Sequence, residues 1–274
     1  MFINCKGSLI DFETPKVMGI LNITPDSFYD GGRRKTTMEF LLHAGKMLEE
    51  GATFIDVGAY SSRPGADDIS EEEELNRMLP VVESLVKNFP EILISVDSFR
   101  SKVARAAVEA GAALINDISA GNLDPEMMKT VGELQVPYIM MHMRGNPKTM
   151  KDMNEYNDLT EDVLFYFSEK ISEARDCGIN DLVIDPGFGF SKNIPQNFEL
   201  LSSLELFRNL DLPILSGLSR KSLIYKTFKT GPEEALNGTT VLNTISLMKG
   251  ADILRVHDVK EAVECVKLVE QLKN

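Results

Sequence analysis

Short apolar runs recur eight times along the chain, and the segments between them are longer and of helical period. The runs are Val17–Leu21, Phe54–Val57, Ile92–Val96, Ala113–Ile115, Tyr138–Met141, Leu182–Ile184, Pro213–Leu215 and Asp252–Val256. Nearly unbroken apolar runs of this length suit strands buried on both faces, which are parallel strands covered by helices. Between two of the runs, Leu75, Met78, Leu79, Val82, Leu85 and Val86 fall at spacings of three and four and so share one side of a helix. The pattern predicts an α/β protein. A closed (β/α)8 barrel and a doubly wound open sheet share these local signals, so periodicity alone leaves the closure open. The 274 residues fall within the roughly 200 to 400 that one α/β barrel occupies. No linker or shift of composition divides them, which predicts a single domain over 1–274.

Charge narrows the partners. A net charge of −13 and a pI near 4.8 make the average surface repel phosphate backbones and anionic lipid, so neither nucleic acid nor a membrane is an expected partner. A local cationic pocket for a small anion stays compatible with that far field. Cys5, Cys177 and Cys265 are odd in number and far apart, with neither disulfide-framework nor zinc spacing, and they suit a reducing compartment. Met1 to Lys16 carries charge and no long apolar run, and no stretch reaches the ~18 apolar residues of a membrane helix. The expectation is a soluble, cytoplasmic protein.

Polar residues cluster where the apolar runs end. Asn22 follows the first run, Asp56 and Arg63 belong to the second, Asp97 to the third, and Asn116 with Asp117 to the fourth. His142 and Arg144 follow the fifth, Asp185 the sixth, Ser219 to Ser222 the seventh, and Arg255 with His257 the eighth. In a barrel these strand ends share one mouth, the face on which active sites form. Any one of them could instead cap a helix or close a turn. Capping does not call for Arg63, Lys221, Arg255 and His257 together.

Eight segments, in order and over almost the whole chain, are similar to the dihydropteroate synthase family. They are Asn22-Ile23-Thr24-Pro25-Asp26-Ser27-Phe28, Ser62-Arg63-Pro64-Gly65-Ala66, Val96-Asp97-Ser98, Ile115-Asn116-Asp117, Met141-His142-Met143 with Gly145 to Met150, Asp185-Pro186-Gly187-Phe188-Gly189-Phe190, Ser219-Arg220-Lys221-Ser222 and Arg255-Val256-His257-Asp258. The resemblance implies a single (β/α)8 TIM barrel with a short N-terminal extension. It implies an enzyme that joins 6-hydroxymethyl-7,8-dihydropterin pyrophosphate to p-aminobenzoate, releases pyrophosphate on the pathway to folate, uses Mg2+, is a sulfonamide target and forms a homodimer.

Residue by residue, the resemblance places Asp97, Asn116, Asp185 and Lys221 in a pterin pocket, where carboxylates and an amide accept the ring's donors and the lysine serves its acceptor. It places Arg255, His257 and Arg63 at the pyrophosphate, and Asn22 beside Mg2+, which shares its sphere between water and phosphate oxygens. Phe28 and Asp30 belong to a first loop, and Ser61, Ser62, Arg63 and Pro64 to a second. With Phe190 and Ser222 these loops shape the p-aminobenzoate pocket.

The family reaction is displacement at the exocyclic methylene carbon and needs no protein nucleophile. Its barrier falls when Mg2+, Arg63, Arg255 and His257 neutralise the leaving group while Asp30 stands near the developing cation. The order implied is pterin first, with sulfonamides competing against p-aminobenzoate. One departure stands in the second loop, where the family pattern Gly-Glu-Ser-Thr-Arg-Pro is Ala59-Tyr60-Ser61-Ser62-Arg63-Pro64. It bears on loop packing more than on chemistry. The competing readings are a pterin-dependent methyltransferase, a non-catalytic pterin-binding protein and a Schiff-base aldolase built on Lys221.

Overall fold

The computed structural model describes residues 1–23, 33–61 and 68–272. The N-terminal extension is an antiparallel hairpin of β1 (Phe2–Cys5) and β2 (Ser8–Asp11). Eight parallel strands follow: β3 (Lys16–Asn22), β4 (Phe54–Gly58), β5 (Ile94–Asp97), β6 (Leu114–Asp117), β7 (Tyr138–Met141), β8 (Leu182–Asp185), β9 (Leu215–Ser216) and β10 (Ile253–Val256). They lie side by side in the order β8-β7-β6-β5-β4-β3-β10-β9. A parallel bridge pairs Ile184 with Ile214, and Ile184 N donates to Pro213 O at 3.0 Å, so the two ends of the order meet. The closed alternative is the one adopted.

The covering helices are α1 (Arg33–Glu49), α2 (Glu71–Asn88), α3 (Ser101–Glu109), α4 (Met127–Leu134), α5 (Leu159–Asp176), α6 (Ile194–Ser202), α7 (Ser222–Phe228), α8 (Leu236–Met248) and α9 (Val259–Glu270). Local chemistry sets where they begin. Ser70 Oγ accepts from Glu73 N at 3.1 Å, and the acidic first turn of α2, Glu71 to Glu74, lies at the positive end of the helix dipole. Asn193 and Gln196 close a capping box at the start of α6, with Pro195 in its first turn. Among the described residues no helix is long and apolar enough to cross a membrane.

Alternation along the strands divides the core. Ile55, Val57, Val96, Leu254 and Val256 pack outward with α1, α2, α3 and α9. Ile115, Tyr138, Met140, Leu182 and Ile184 do the same with α4, α5 and α6 on the other side. Inside the barrel, Met18, Phe54, Leu114, Ile139, Val183, Leu215 and Ile253 form one buried layer, closed from below by Ile3, Cys5 and Phe12 of the hairpin region. Each large apolar side chain so buried contributes roughly 1.5–3 kcal/mol. Because side chains repeat their direction every second residue, the next inward positions above this plug are Ile20, Asp56, Ser95, Asn116, Met141, Asp185, Gly217 and Arg255, with Asp97 one step above Ser95 on its strand. A dry floor therefore carries a polar upper layer.

Candidate active site

Asp56 occupies the inner face of β4 and is fully buried. Its Oδ2 accepts from Arg255 Nε at 2.6 Å and from Asn116 Nδ2 at 3.1 Å. Arg255 Nη2 donates to Asp97 Oδ2 at 2.6 Å. One guanidinium thus joins two carboxylates across the barrel, a forked geometry that lysine could not reproduce. Burial raises the Asp97 carboxyl, and Arg255 works against that rise. Burial opposes the charge on Arg255 in turn, but Asp56 and Asp97 outweigh it and the guanidinium is held charged. Asp56 Oδ1 is buried with no hydrogen-bond partner among the described residues, an acceptor left over in the polar layer.

The second half of the site is built by the loop after β8. Asp185 Oδ1 accepts from Gly187 N at 2.8 Å, and burial raises this carboxyl while Lys221 pulls it down. Lys221, just before α7, donates to Phe188 O, and its Nζ stands 4.8 Å from the centroid of the Phe190 ring. Burial pushes its ammonium down to about 8, with Asp185 opposing. Among the described residues Lys221 makes no direct ion pair, so it is not the structural partner of one aspartate. A side chain at Gly217 would lie 3.8 Å from Lys221 Nζ and 3.9 Å from Asp185 Oδ2, so glycine leaves the space between donor and acceptor open.

The remaining strand ends separate. His257 follows β10, where its Nδ1 lies 3.0 Å from Ser219 Oγ and its backbone N donates to the same Oγ at 3.1 Å. The Ser219 hydroxyl holds the ring in either tautomer, since it can donate to Nδ1 or accept from it. Asn22 ends β3 and is half-buried beside Gly58, its register partner. Ser61 and Ser222 are half-buried, the latter opening α7. Phe28, Asp30, Ser62, Arg63 and Pro64 lie outside the described residues.

Three residues expected at the mouth turn elsewhere. Asp117 points to the outer layer, where it accepts from Tyr138 Oη at 2.6 Å and from Ser119 N and Gly121 N, each at 2.7 Å. The pleat forces this, since neighbours on a strand face opposite ways and Asn116 faces in. Arg220 forks onto Asp258 with two bonds of 2.8 Å and so locks the loop after β9 to the one after β10. Arg144 binds Asp162 at 3.0 Å and lies over the Tyr156 ring.

The Ala59-Tyr60 departure also finds its packing. Tyr60 meets Phe99 edge to face at 5.1 Å, and the Arg100 guanidinium lies 5.5 Å and 5.2 Å from the two ring centroids. Arg100 is held in turn by the buried Glu74 at 2.5 Å and by Ile69 O at 2.7 Å. Tyr60, which stands in the sequence where the family pattern has Glu, is thus packed in an aromatic and cation cluster.

Two residues enter the site beyond the roles that sequence reasoning gave: Asp56, which it placed at the mouth without a role, and Lys192, which it missed. Asp56 had a signal, a charge inside a run otherwise fit for burial. Lys192 had none beyond following a glycine-rich turn. It is buried, with its Nζ 3.0 Å from His142 Nδ1. Among the described residues no group of three or more His, Cys, Asp or Glu side chains could hold a metal ion. Any cation at Asn22 would take one neutral oxygen there and draw its other ligands from water and substrate, which is the sharing Mg2+ tolerates.

Residues 18–257 match the model of a family described as pterin binding enzymes. The chain is 45% identical over 272 residues to the dihydropteroate synthase of Escherichia coli (strain K12), covering 98% of this chain and 96% of that one. It superimposes on Yersinia pestis dihydropteroate synthase in a sulfonamide drug complex with a TM-score of 0.93 at 42% identity, covering 100% and 99% of the two chains. Against the Xanthomonas albilineans dihydropteroate synthase in complex with 7,8-dihydropteroate the TM-score is 0.89 at 36% identity, with the same coverage.

Proposed function

The chain belongs to the pterin binding enzymes, and from that premise we propose that it is a dihydropteroate synthase, condensing 6-hydroxymethyl-7,8-dihydropterin pyrophosphate with p-aminobenzoate. The observation that supports this best is the polar inner layer of Asp97, Asn116 and Asp185 set opposite Lys221 and Arg255 on a dry barrel floor. A pterin presents amino and ring N–H donors beside a carbonyl acceptor, and this layer offers the complementary acceptors and one ammonium donor. Arg255 then sits at the edge of the pterin pocket, where a bound pyrophosphate competes with Asp97 for its fork.

In the reaction the amine nitrogen forms a bond to the methylene carbon, the carbon–oxygen bond to pyrophosphate breaks, and the amine gives up a proton. The pocket residues hold the ring still and exclude water beneath it. Arg255 and His257 supply N–H donors to the departing oxygens, with Arg63 and Asp30 assigned their parts by family resemblance. Mg2+ belongs to the proposal, held at Asn22, and would neutralise charge on the pyrophosphate when bound.

A cytoplasmic location and a homodimer complete the reading. The support for the dimer is a stripe on α8 in which Val241, Ile245 and Met248 are 50%, 38% and 59% exposed at helical spacing. Incubating purified protein with the dihydropterin pyrophosphate, Mg2+ and p-aminobenzoate should yield dihydropteroate and pyrophosphate in equal amounts. Pterin binding without release of pyrophosphate would return the methyltransferase or the non-catalytic binder, and borohydride trapping of substrate on Lys221 would return the aldolase.

A further inference from the structure

Lys192 lies between β8 and α6, is 9% exposed, and has no part in the chemistry above. An ammonium withdrawn from water needs every one of its three N–H groups matched. Here the three acceptors are Gly187 O, Phe190 O and His142 Nδ1, each at 3.0 Å. The first two are the two ends of a tight turn, closed by Phe190 N donating to Gly187 O at 3.1 Å. The third belongs to the segment just after β7.

Gly187, Gly189 and Ser191 have φ of +74°, +82° and +46°, left-handed residues alternating through the turn. Asp185 Oδ1 accepts from Gly187 N at 2.8 Å and Asn197 Oδ1 from Gly189 N at 2.6 Å, and Lys192 adds the side-chain tie from this turn to His142. The turn forms the cradle of Lys221, since the Phe188 carbonyl accepts from that ammonium and the Phe190 ring faces it. We infer that Lys192 is a positioning residue of the active site, tying the turn from Gly187 to Phe190 to the end of β7 so that the Phe188 carbonyl and Phe190 ring aim the Lys221 ammonium into the pocket. The inference rests on the reading of that pocket as the pterin site.

The brace is bonded in either protonation state. Burial lowers Lys192 to about 7, with Asp185 opposing and Lys221 and Arg144 adding to the fall, and burial likewise keeps His142 neutral. As an ammonium Lys192 donates to all three acceptors. As an amine it donates to the two carbonyls and accepts from His142 Nδ1–H, the other tautomer of the ring.

The experiment uses the full chain and compares wild type with Lys192→Met and, as a milder loss, Lys192→Gln. The readouts are the thermal midpoint, calorimetry with 6-hydroxymethyl-7,8-dihydropterin from pH 7 upward, and the KM for p-aminobenzoate. A loosened cradle lets water reach Lys221, which faces Asp185, Arg255, Asp97 and Lys192. Lys221 should then regain part of its ordinary basicity, and the alkaline fall in pterin affinity should move up by about one pH unit. The affinity itself should drop about tenfold in Lys192→Met, with a smaller drop in Lys192→Gln and a raised KM for p-aminobenzoate in both. A purely structural lysine would lower the thermal midpoint and leave the pterin affinity at pH 7 and the KM for p-aminobenzoate unchanged, because lost repulsion from Lys192 by itself moves only the alkaline limb. A folded variant with wild-type affinity and KM overturns the inference. A wild-type protein that binds no pterin overturns the reading of the site, and this inference with it.

Discussion

At the scale of single residues the site is governed by what a buried charge requires. Asp56 would be costly on the inner face of a strand without Arg255, and Arg255 would be costly without Asp56 and Asp97. Removing one member leaves the others unpaired, so Asp56→Ala should lower unfolding stability by about 3 kcal/mol in denaturant titration and abolish turnover. Asp56→Asn should keep the bond from Arg255 Nε and lose less. Lys221→Met removes the donor to the pterin but keeps the stem, and calorimetry should find tight pterin binding gone from a folded protein. The same residue sets an alkaline limit. Burial holds Lys221 at about 8, and the charge-assisted donor is the ammonium; the amine formed as pH rises through that value keeps N–H groups but loses the charge that strengthens the bond to the pterin. Pterin affinity should hold below that pH and fall up to about tenfold per unit above it, a limb absent in Lys221→Met. Arg63 lies outside the described residues, and its assigned role makes a distinct prediction. Arg63→Ala should leave affinity for a pyrophosphate-free pterin intact and slow turnover about a hundredfold, with Arg63→Lys recovering part of the loss.

Individual elements place these residues through their ends. The turn after β8 shows how narrow the tolerance is, because Gly187 has φ +74° and a side chain there would lie 2.1 Å from His142 O. That neighbour is backbone of the adjoining strand end and cannot swing aside. Gly187→Ala should therefore cost at least about 2 kcal/mol, strain and clash together, lowering the thermal midpoint by roughly 5 °C and weakening pterin binding with it. Gly178 has a similar φ of +80° but nothing within 4 Å of the added carbon, so Gly178→Ala should show the strain alone and leave binding untouched. The strands were legible as apolar runs because burial on both faces makes most of their positions apolar, with polar residues kept mostly to the upper layer where partners satisfy them. Their ends were less so: β5 begins at Ile94 rather than Ile92 and β9 is only Leu215–Ser216, since ladder bonding rather than hydrophobicity decides where a strand stops.

At the scale of the whole molecule the exposed stripe of α8 makes the assembly testable. Ile245→Glu should shift the mass measured by light scattering from dimer to monomer, since a charge at the centre of an apolar contact is left desolvated and unpaired. A wild-type monomer would remove the dimer from the proposal. The alternation of eight apolar runs with amphipathic segments determined an α/β protein, and the order of polar motifs at their ends carried the family resemblance that implies a barrel, because both are written in local periods and residue types; closure itself is seen only where Ile184 pairs with Ile214. Which polar groups meet was a matter for the closed ring. Asn116 and Asp117 are neighbours of similar chemistry, and only the phase of the pleat sends one into the site and the other to Tyr138. Arg255 meets Asp56 across a separation of 199 residues, and Lys192 meets His142 across 50. No spacing rule reaches so far; these contacts exist because closure brings eight strand ends to one mouth, and because a charge buried there is tolerated only where partners from other strands neutralise it.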